Sequence, residues 1–256
     1  MTLPSEVLRG LIADETVDAV WSRLEAYTAA FGFDRMLYAA SHYLTLHSAG
    51  DARDALILTN YPTSYTDEYV GAGLFQKAPL VRWAMNEIGT TSWRRVAEDA
   101  RAGLLSADEL EVVAFNQRHG VVAGYAISFP RSSPRAGAGL GLSSATMSQD
   151  EIDALWARHG EEIELVAGVA HLKLLSLPHG DHVRSLTKRQ REVLELVSDG
   201  KTVQDAAVLL EINAATVEKH LRLAREALGV ETTAQAIRKM STHNQFFTYH
   251  PDHVSR

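Results

Sequence analysis

The 256-residue sequence contains no cysteine. Disulfides and thiolate metal centres are excluded, and the composition fits a chain working in the cytoplasm. No run of about 18 apolar residues occurs, so no membrane-spanning helix is expected. The start, "MTLPSEVLRGLIADE", carries acids early and has no small-residue cleavage site, which gives no sign of a secretory leader. Catalytic signatures are missing as well. There is no Gly-x-Ser-x-Gly nucleophile turn, no His-Glu-x-x-His pair and no Gly-rich Lys-Ser/Thr phosphate loop. An enzyme is not indicated, and no cofactor or metal is expected. His243, His250 and His253 read as part of a mobile tail, not as ligands.

An excess of positive charge is also lacking. The formal net charge of −7 argues against a protein that coats nucleic acid indiscriminately. The charge is uneven, however. Between Asp181 and Met240 ten Lys/Arg face nine Asp/Glu, so a near-neutral module follows a larger acidic one. "SLPHGDHVRSLT", from Ser176, has Pro, Gly and two His without apolar periodicity and reads as a linker. The expected division is a first domain over 1–175, a linker over 176–184, a second domain over 185–243 and a tail over 244–256.

The first domain mixes periodicities. Val17, Val20, Trp21, Leu24 and Tyr27 are spaced for a helix over 16–30. "RMLYAASHYL", "ALILTN", "VAGYAISFP" and "AGAGLGLSS" read as strands, with a shorter one near Trp93. Helices are expected over 62–71, 79–86 and 107–118, and a long one over 149–175 with a break near Gly160. The fold class is α+β: an α-β-α sandwich around an antiparallel sheet, a layout that leaves room for a small ligand between sheet and helices. Tyr61, Tyr65 and Tyr69 recur every four residues and put three phenols on one face.

The second domain reads as four short helices. Thr187 with Gln190 forms a capping box, Gly200 ends the first helix, Thr202 and Asn213 cap the next two, and Gly229 ends the third. Two helices joined by "EIN" have helix-turn-helix spacing. On the second of that pair Val217, Leu221 and Ala224 face inward, and Glu218, Lys219, Arg222 and Arg225 outward. His220 reads as a packed core histidine.

Over its whole length this segment resembles the LuxR-type DNA-binding domain. The resemblance is carried by Leu186-Thr187, Glu192-Val193-Leu194, Gly200-Lys201-Thr202, Ala206-Ala207, Ile212, Thr216-Val217, His220-Leu221 and Leu228-Gly229-Val230. It implies a double-stranded DNA operator as partner, contacted by Lys201, Thr202, Thr216, Glu218, Lys219 and Arg222. Two positions depart from the family. Gln190 stands where an acid is usual, and Glu218 where Lys or Arg is common. A carboxylate is repelled by phosphate but can accept from cytosine N4.

The first domain resembles the autoinducer-binding domain of quorum-sensing LuxR proteins through "NYP" at 60–62, Tyr69, Pro79, Trp93 and "HGVVAGYAISFP". That resemblance implies an N-acyl homoserine lactone or a related apolar signal, and a homodimer. Tyr61 would bond the acyl carbonyl, Tyr65 replaces the Trp that bonds the lactone carbonyl, Tyr69 would pack on the acyl chain and Trp93 would wall the ring. Ala78 stands where the family has an Asp that accepts the ligand amide, and Gly141 where a strand hydroxyl is common. Three alternatives stay open: a signal without that amide, a lactone held through substitutes such as Ser41 or Ser143, or a pocket filled by Leu74, Phe75 and Leu80 in a ligand-independent or heterodimerising regulator.

Overall fold

The computed structural model describes residues 4–45, 48–179 and 186–244, so 180–184 of the expected 176–184 linker, and all of the expected tail but Asn244, lie outside the described residues. The chain forms two compact units, 1–175 and 176–256.

Unit 1 opens with α1 (Pro4–Ala13) and α2 (Val17–Ala29). Thr16 caps α2 by accepting from the Ala19 amide. Strands β1 (Arg35–Ser41), β2 (Ala55–Thr59), β3 (Gly89–Ser92), β4 (Gly124–Ser128) and β5 (Gly137–Ser143) form one antiparallel sheet in the order β2-β1-β5-β4-β3. Between β2 and β3 lie α3 (Thr63–Thr66), a π-helical turn (Asp67–Gly71), a 3-10 turn (Leu74–Lys77) and α4 (Pro79–Ala84). Then come α5 (Arg94–Arg101) and α6 (Ala107–Arg118), and finally α7 (Gln149–Ser176). The strands are shorter than the sequence reading, because their outer residues leave the hydrogen-bonded ladder. α5 was not expected: it fully buries no residue, so it carries no apolar stripe to detect.

The sheet has two unlike faces, as the period-2 alternation of a strand demands. Met36, Tyr38 and Ala40 of β1 and Leu140 and Leu142 of β5 are buried. On this face Tyr38 bonds His171 of α7 at 2.9 Å, and Thr28 of α2 reaches the Met36 sulfur at 2.8 Å. The opposite face of the same strands presents Leu37, Ala39 and Ser41 beside Gly141, Gly139 and Gly137, their direct partners in register.

α7 runs unbroken through Gly160, against the expected interruption. The glycine serves packing instead of bending. A Cβ there would lie 2.5 Å from the Trp156 indole, which stacks on Tyr125 of β4 with centroids 4.0 Å apart. Gly168, on the same helix, has nothing within 4 Å of that position.

Unit 2 consists of α8 (Lys188–Ser198), α9 (Val203–Leu209), α10 (Ala214–Leu228) and α11 (Thr233–Thr242). Val193, Leu194, Val217, Leu221, Ala224 and Met240 form the heart of its core. Thr187, Thr202, Asn213 and Thr232 each cap the helix that follows. The turn between α9 and α10 places Glu211 at φ 54°, a left-handed conformation unfavourable for a side chain with a Cβ.

The two glycines of α7 give a signed prediction. Gly168→Ala should stabilise by about 0.5–1 kcal/mol through helix propensity. Gly160→Ala gains the same propensity but must displace a rigid indole, an overpacking cost of about 1–3 kcal/mol, so it should destabilise. Urea unfolding of both variants reads the opposite signs.

Candidate functional site: an apolar cavity and a helix-turn-helix

Small residues on one sheet face make a hollow. Ala39, Ala126, Gly139 and Gly141 leave the floor bare, and Leu37 and Ile57 edge it. The facing wall comes from the turn before α4 and from α4 itself, through Phe75, Leu80, Val81, Ala84 and Met85. The cavity between them measures about 180 Å³. Phe75 and Leu80 stand on its wall without filling it, and Leu74 packs on the neighbouring aromatic cluster. The alternative of a pocket plugged by these three side chains is therefore not what this structure contains. α4 is pinned to the sheet where its Ala84 carbonyl accepts from Ser128 Oγ at 3.1 Å and Arg131 Nη2 at 2.9 Å. Gln76 ties the 48–50 segment to the wall, accepting from the Ala49 amide at 3.0 Å and donating to the Gly50 carbonyl at 2.7 Å.

The three tyrosines meet at one end of the hollow. Tyr61 precedes α3, Tyr65 lies in it, and Tyr69 sits in the π-helical turn, a local widening of the kind that recurs at functional sites. Their rings form a stack, Tyr61 on Tyr65 at 4.5 Å and Tyr65 on Tyr69 at 5.1 Å, with Phe115 of α6 against Tyr65. Tyr61 Oη and Ser143 Oγ share a hydrogen bond of 2.6 Å. Tyr65 Oη donates to Asn116 Oδ1 at 3.0 Å. Burial pushes the Tyr61 phenol up to about 12. Burial also raises Tyr65 and Tyr69, which the neighbouring phenols reinforce. All three remain neutral donors at ordinary pH.

Trp93 follows β3 and lies flat on Gly124 and Gly141, where a Cβ would meet its ring at 2.9 Å and 3.7 Å. Gly141 is thus a cavity-floor residue with room for a small side chain. Buried Trp93 Nε1 has no hydrogen-bond partner among the described residues. Tyr61, Tyr65, Tyr69, Trp93 and Gly141 all line the cavity, as does Ser41; Ser143 is reached through Tyr61. Ala78 does not line it. It is buried at 2 % exposure in the N-cap position of α4, where it offers no side-chain cap. The sequence reading missed Asn116, Ala39 and Ala126; the strand alternation marked the face of the last two, but only the register brings them together.

In unit 2, α10 exposes Glu218, Lys219 and Arg222 on one side, and Val217, Leu221 and Ala224 are buried on the other. Lys201 and Thr202 stand exposed at the start of α9. Thr202 Oγ1 donates to Asp205 at 2.6 Å and Thr216 Oγ1 to Asn213 at 2.9 Å, so both hydroxyls take part in capping. Arg222 pairs with Glu226 at 2.5 Å, one turn along the helix. Arg225, expected on the outer face, turns back to Thr233 of α11 at 3.0 Å. His220 is half-buried, and its Nδ1 has no partner among the described residues.

A five-stranded antiparallel sheet with an aromatic-ended cavity, followed by a capped helix-turn-helix, defines a ligand-binding regulator class. The family described as "Autoinducer binding domain" matches residues 16–174, and the one described as "Bacterial regulatory proteins, luxR family" matches 184–240. The chain belongs to the LuxR family of quorum-sensing transcription regulators. The transcriptional activator ExpR of Dickeya dadantii is 26 % identical over 72 % of this chain and 76 % of its own length. LuxR of Aliivibrio fischeri is 26 % identical over 73 % of each. The quorum sensing-dependent regulator RpaR of Rhodopseudomonas palustris is 26 % identical over 94 % of this chain and 98 % of its own. Among solved structures, SdiA of Escherichia coli shares the fold at a TM-score of 0.53, with 17 % identity, over 96 % of this chain and 98 % of that one.

The buried phenols carry a pH prediction. A phenol whose folded pKa lies above its unfolded value of 10.0 contributes stability that is complete below pH 10.0. That stability is lost as pH rises, for Tyr61 over the window from 10.0 to about 12. Urea unfolding across that window should give falling stability, with a smaller fall for Tyr61→Phe.

Proposed function

We propose that unit 1 is the sensor of a cytoplasmic homodimeric transcription regulator, and that a small apolar signal, with an N-acyl homoserine lactone as the reference ligand, fills the cavity beside Tyr61, Tyr65, Tyr69 and Trp93. The sensor spans 1–175, a linker 176–184, the DNA-binding domain 185–243 and a tail 244–256. The observation that carries this reading is the hollow itself: a bare glycine and alanine floor, about 180 Å³, lined mostly by apolar side chains with a few polar ones, among them Tyr61, Tyr65, Tyr69 and Asn116. An apolar body with a few convergent polar groups is the usual build of a small-molecule site. Binding there stabilises unit 1 by mass action. Dimerisation then sets two α10 helices on successive major-groove faces of an operator, with Lys201, Thr202, Thr216, Glu218, Lys219 and Arg222 toward DNA.

Glu218 favours a second reading, in which the protein forms inactive heterodimers with a related regulator. An exposed carboxylate on the recognition helix lowers attraction to phosphate.

Two measurements test these roles. Thermal unfolding against a panel of acyl-homoserine lactones should raise the midpoint of the native chain. Ala39→Leu, which puts bulk on the floor, should keep the fold and abolish that rise. In operator binding, Lys219→Ala should weaken affinity uniformly across sequences and reduce the salt slope by about 1. Glu218→Lys should steepen the slope and relax the preferred sequence. Failure of the pure protein to bind any operator would support the heterodimer reading.

A further inference from the structure

The glycine floor of the cavity has two ends, and a different side chain lies over each. Gly141 pairs with Leu37 and Gly137 with Ser41, so the floor runs along β5 between these two glycines. At a strand rise of about 3.3 Å per residue that run is roughly 13 Å long. At the first end the Trp93 ring covers Gly141, where a Cβ would fall 3.7 Å from it. Trp93 and Leu37 pack there with Tyr61, Tyr65 and Tyr69 in one cluster. At the second end the side chain of Leu44 covers Gly137. A Cβ on Gly137 would fall 2.5 Å from Leu44 Cδ1, so the leucine stands in the space that a side chain on the floor would take. Leu44 is buried and lines the same cavity. It is also held in place. Beyond the end of β1, its amide donates to the Arg135 carbonyl at 2.8 Å. The flank of this end is the 49–52 segment, which Gln76 ties to the opposite wall.

We infer that Leu44 is the stop for the tail of the signal and sets the longest chain that the cavity accepts. The inference rests on the receptor reading above. With the polar head beside the tyrosines and Trp93, a straight alkyl chain runs over Gly141, Gly139 and Gly137 and ends against Leu44. Each methylene that finds room on the floor adds about fourfold in affinity. A methylene beyond the stop must displace a packed side chain, and overpacking is penalised. Affinity therefore climbs with chain length up to the carbon that meets Leu44, and then falls.

Titration calorimetry of the full-length protein with N-hexanoyl, N-octanoyl, N-decanoyl, N-dodecanoyl and N-tetradecanoyl homoserine lactones tests this. The wild type should show an optimum within the series. Leu44→Ala, which removes the Cγ and both Cδ atoms from the end wall, should move the optimum to a chain longer by about two to four carbons. The affinity for the chain two carbons past the wild-type optimum, relative to that for the optimum itself, should rise about tenfold or more. Both ligands meet the same variant, so a weakened fold cancels from that ratio. Leu44→Val keeps most of the buried side chain and should move the ratio in the same direction, which covers a failure of Leu44→Ala to fold. Leu44→Phe should move the optimum to a shorter chain. An optimum unchanged in these variants, or affinity that rises without a break through the whole series in the wild type, overturns the inference and leaves the receptor reading standing. Binding of none of the lactones to the wild type overturns both together.

Discussion

A void inside a protein is expensive to keep, because its walls lose packing partners that a filled core would supply. In unit 1 the void is written into strand register. Gly137, Gly139 and Gly141 fall on one face of β5 and pair with Ser41, Ala39 and Leu37 of β1. Had β5 slipped by one residue, Ala138, Leu140 and Leu142 would point into the hollow and fill it. The other face of the same strands is densely packed on α2 and α7, which holds the register. The tyrosine stack, Trp93 and the α4 wall all depend on that bare floor.

Much of this was legible in the sequence. Alternation marked the strands, and turn and cap residues marked the helices, most completely in unit 2, where every cap lies within three residues of the amide it serves. The family resemblance drew attention to five residues that do line the cavity. What was not legible has physical causes. Gly160 looks like a helix breaker until the Trp156 ring is seen to occupy the space of its missing Cβ. Ala78 is placed by its role at the start of α4, outside the lining. Asn116 lies far along the chain from Tyr65, and no local pattern announces their bond. The outward face of α10 was readable from periodicity, yet Arg225 was misassigned because Thr233 lies on another helix.

The two recognition surfaces use polar groups differently. Beside the cavity, Trp93 Nε1 is buried with no hydrogen-bond partner among the described residues. On α9 and α10 the hydroxyls of Thr202 and Thr216 are engaged in caps, and Arg222 is engaged with Glu226. The exposed ion pair is weak, of about 0.3–0.5 kcal/mol for such a helix pair, and yields readily to a phosphate. A buried donor without a partner has no such inexpensive exchange with water.

The position of β5 has a consequence for synthesis. It is the middle strand, yet it is the last of the five to be made, about 100 residues after β1. Until it inserts, β1–β2 and β3–β4 are separate hairpin-like halves with no common floor. The hollow therefore comes into being only when the chain closes its most sequence-distant pairing, the slow step expected of such a topology. Unit 2, built from neighbouring capped helices, carries no such delay. A newly made chain thus has a reader that can form quickly and a sensor whose pocket is the last part of its sheet to exist.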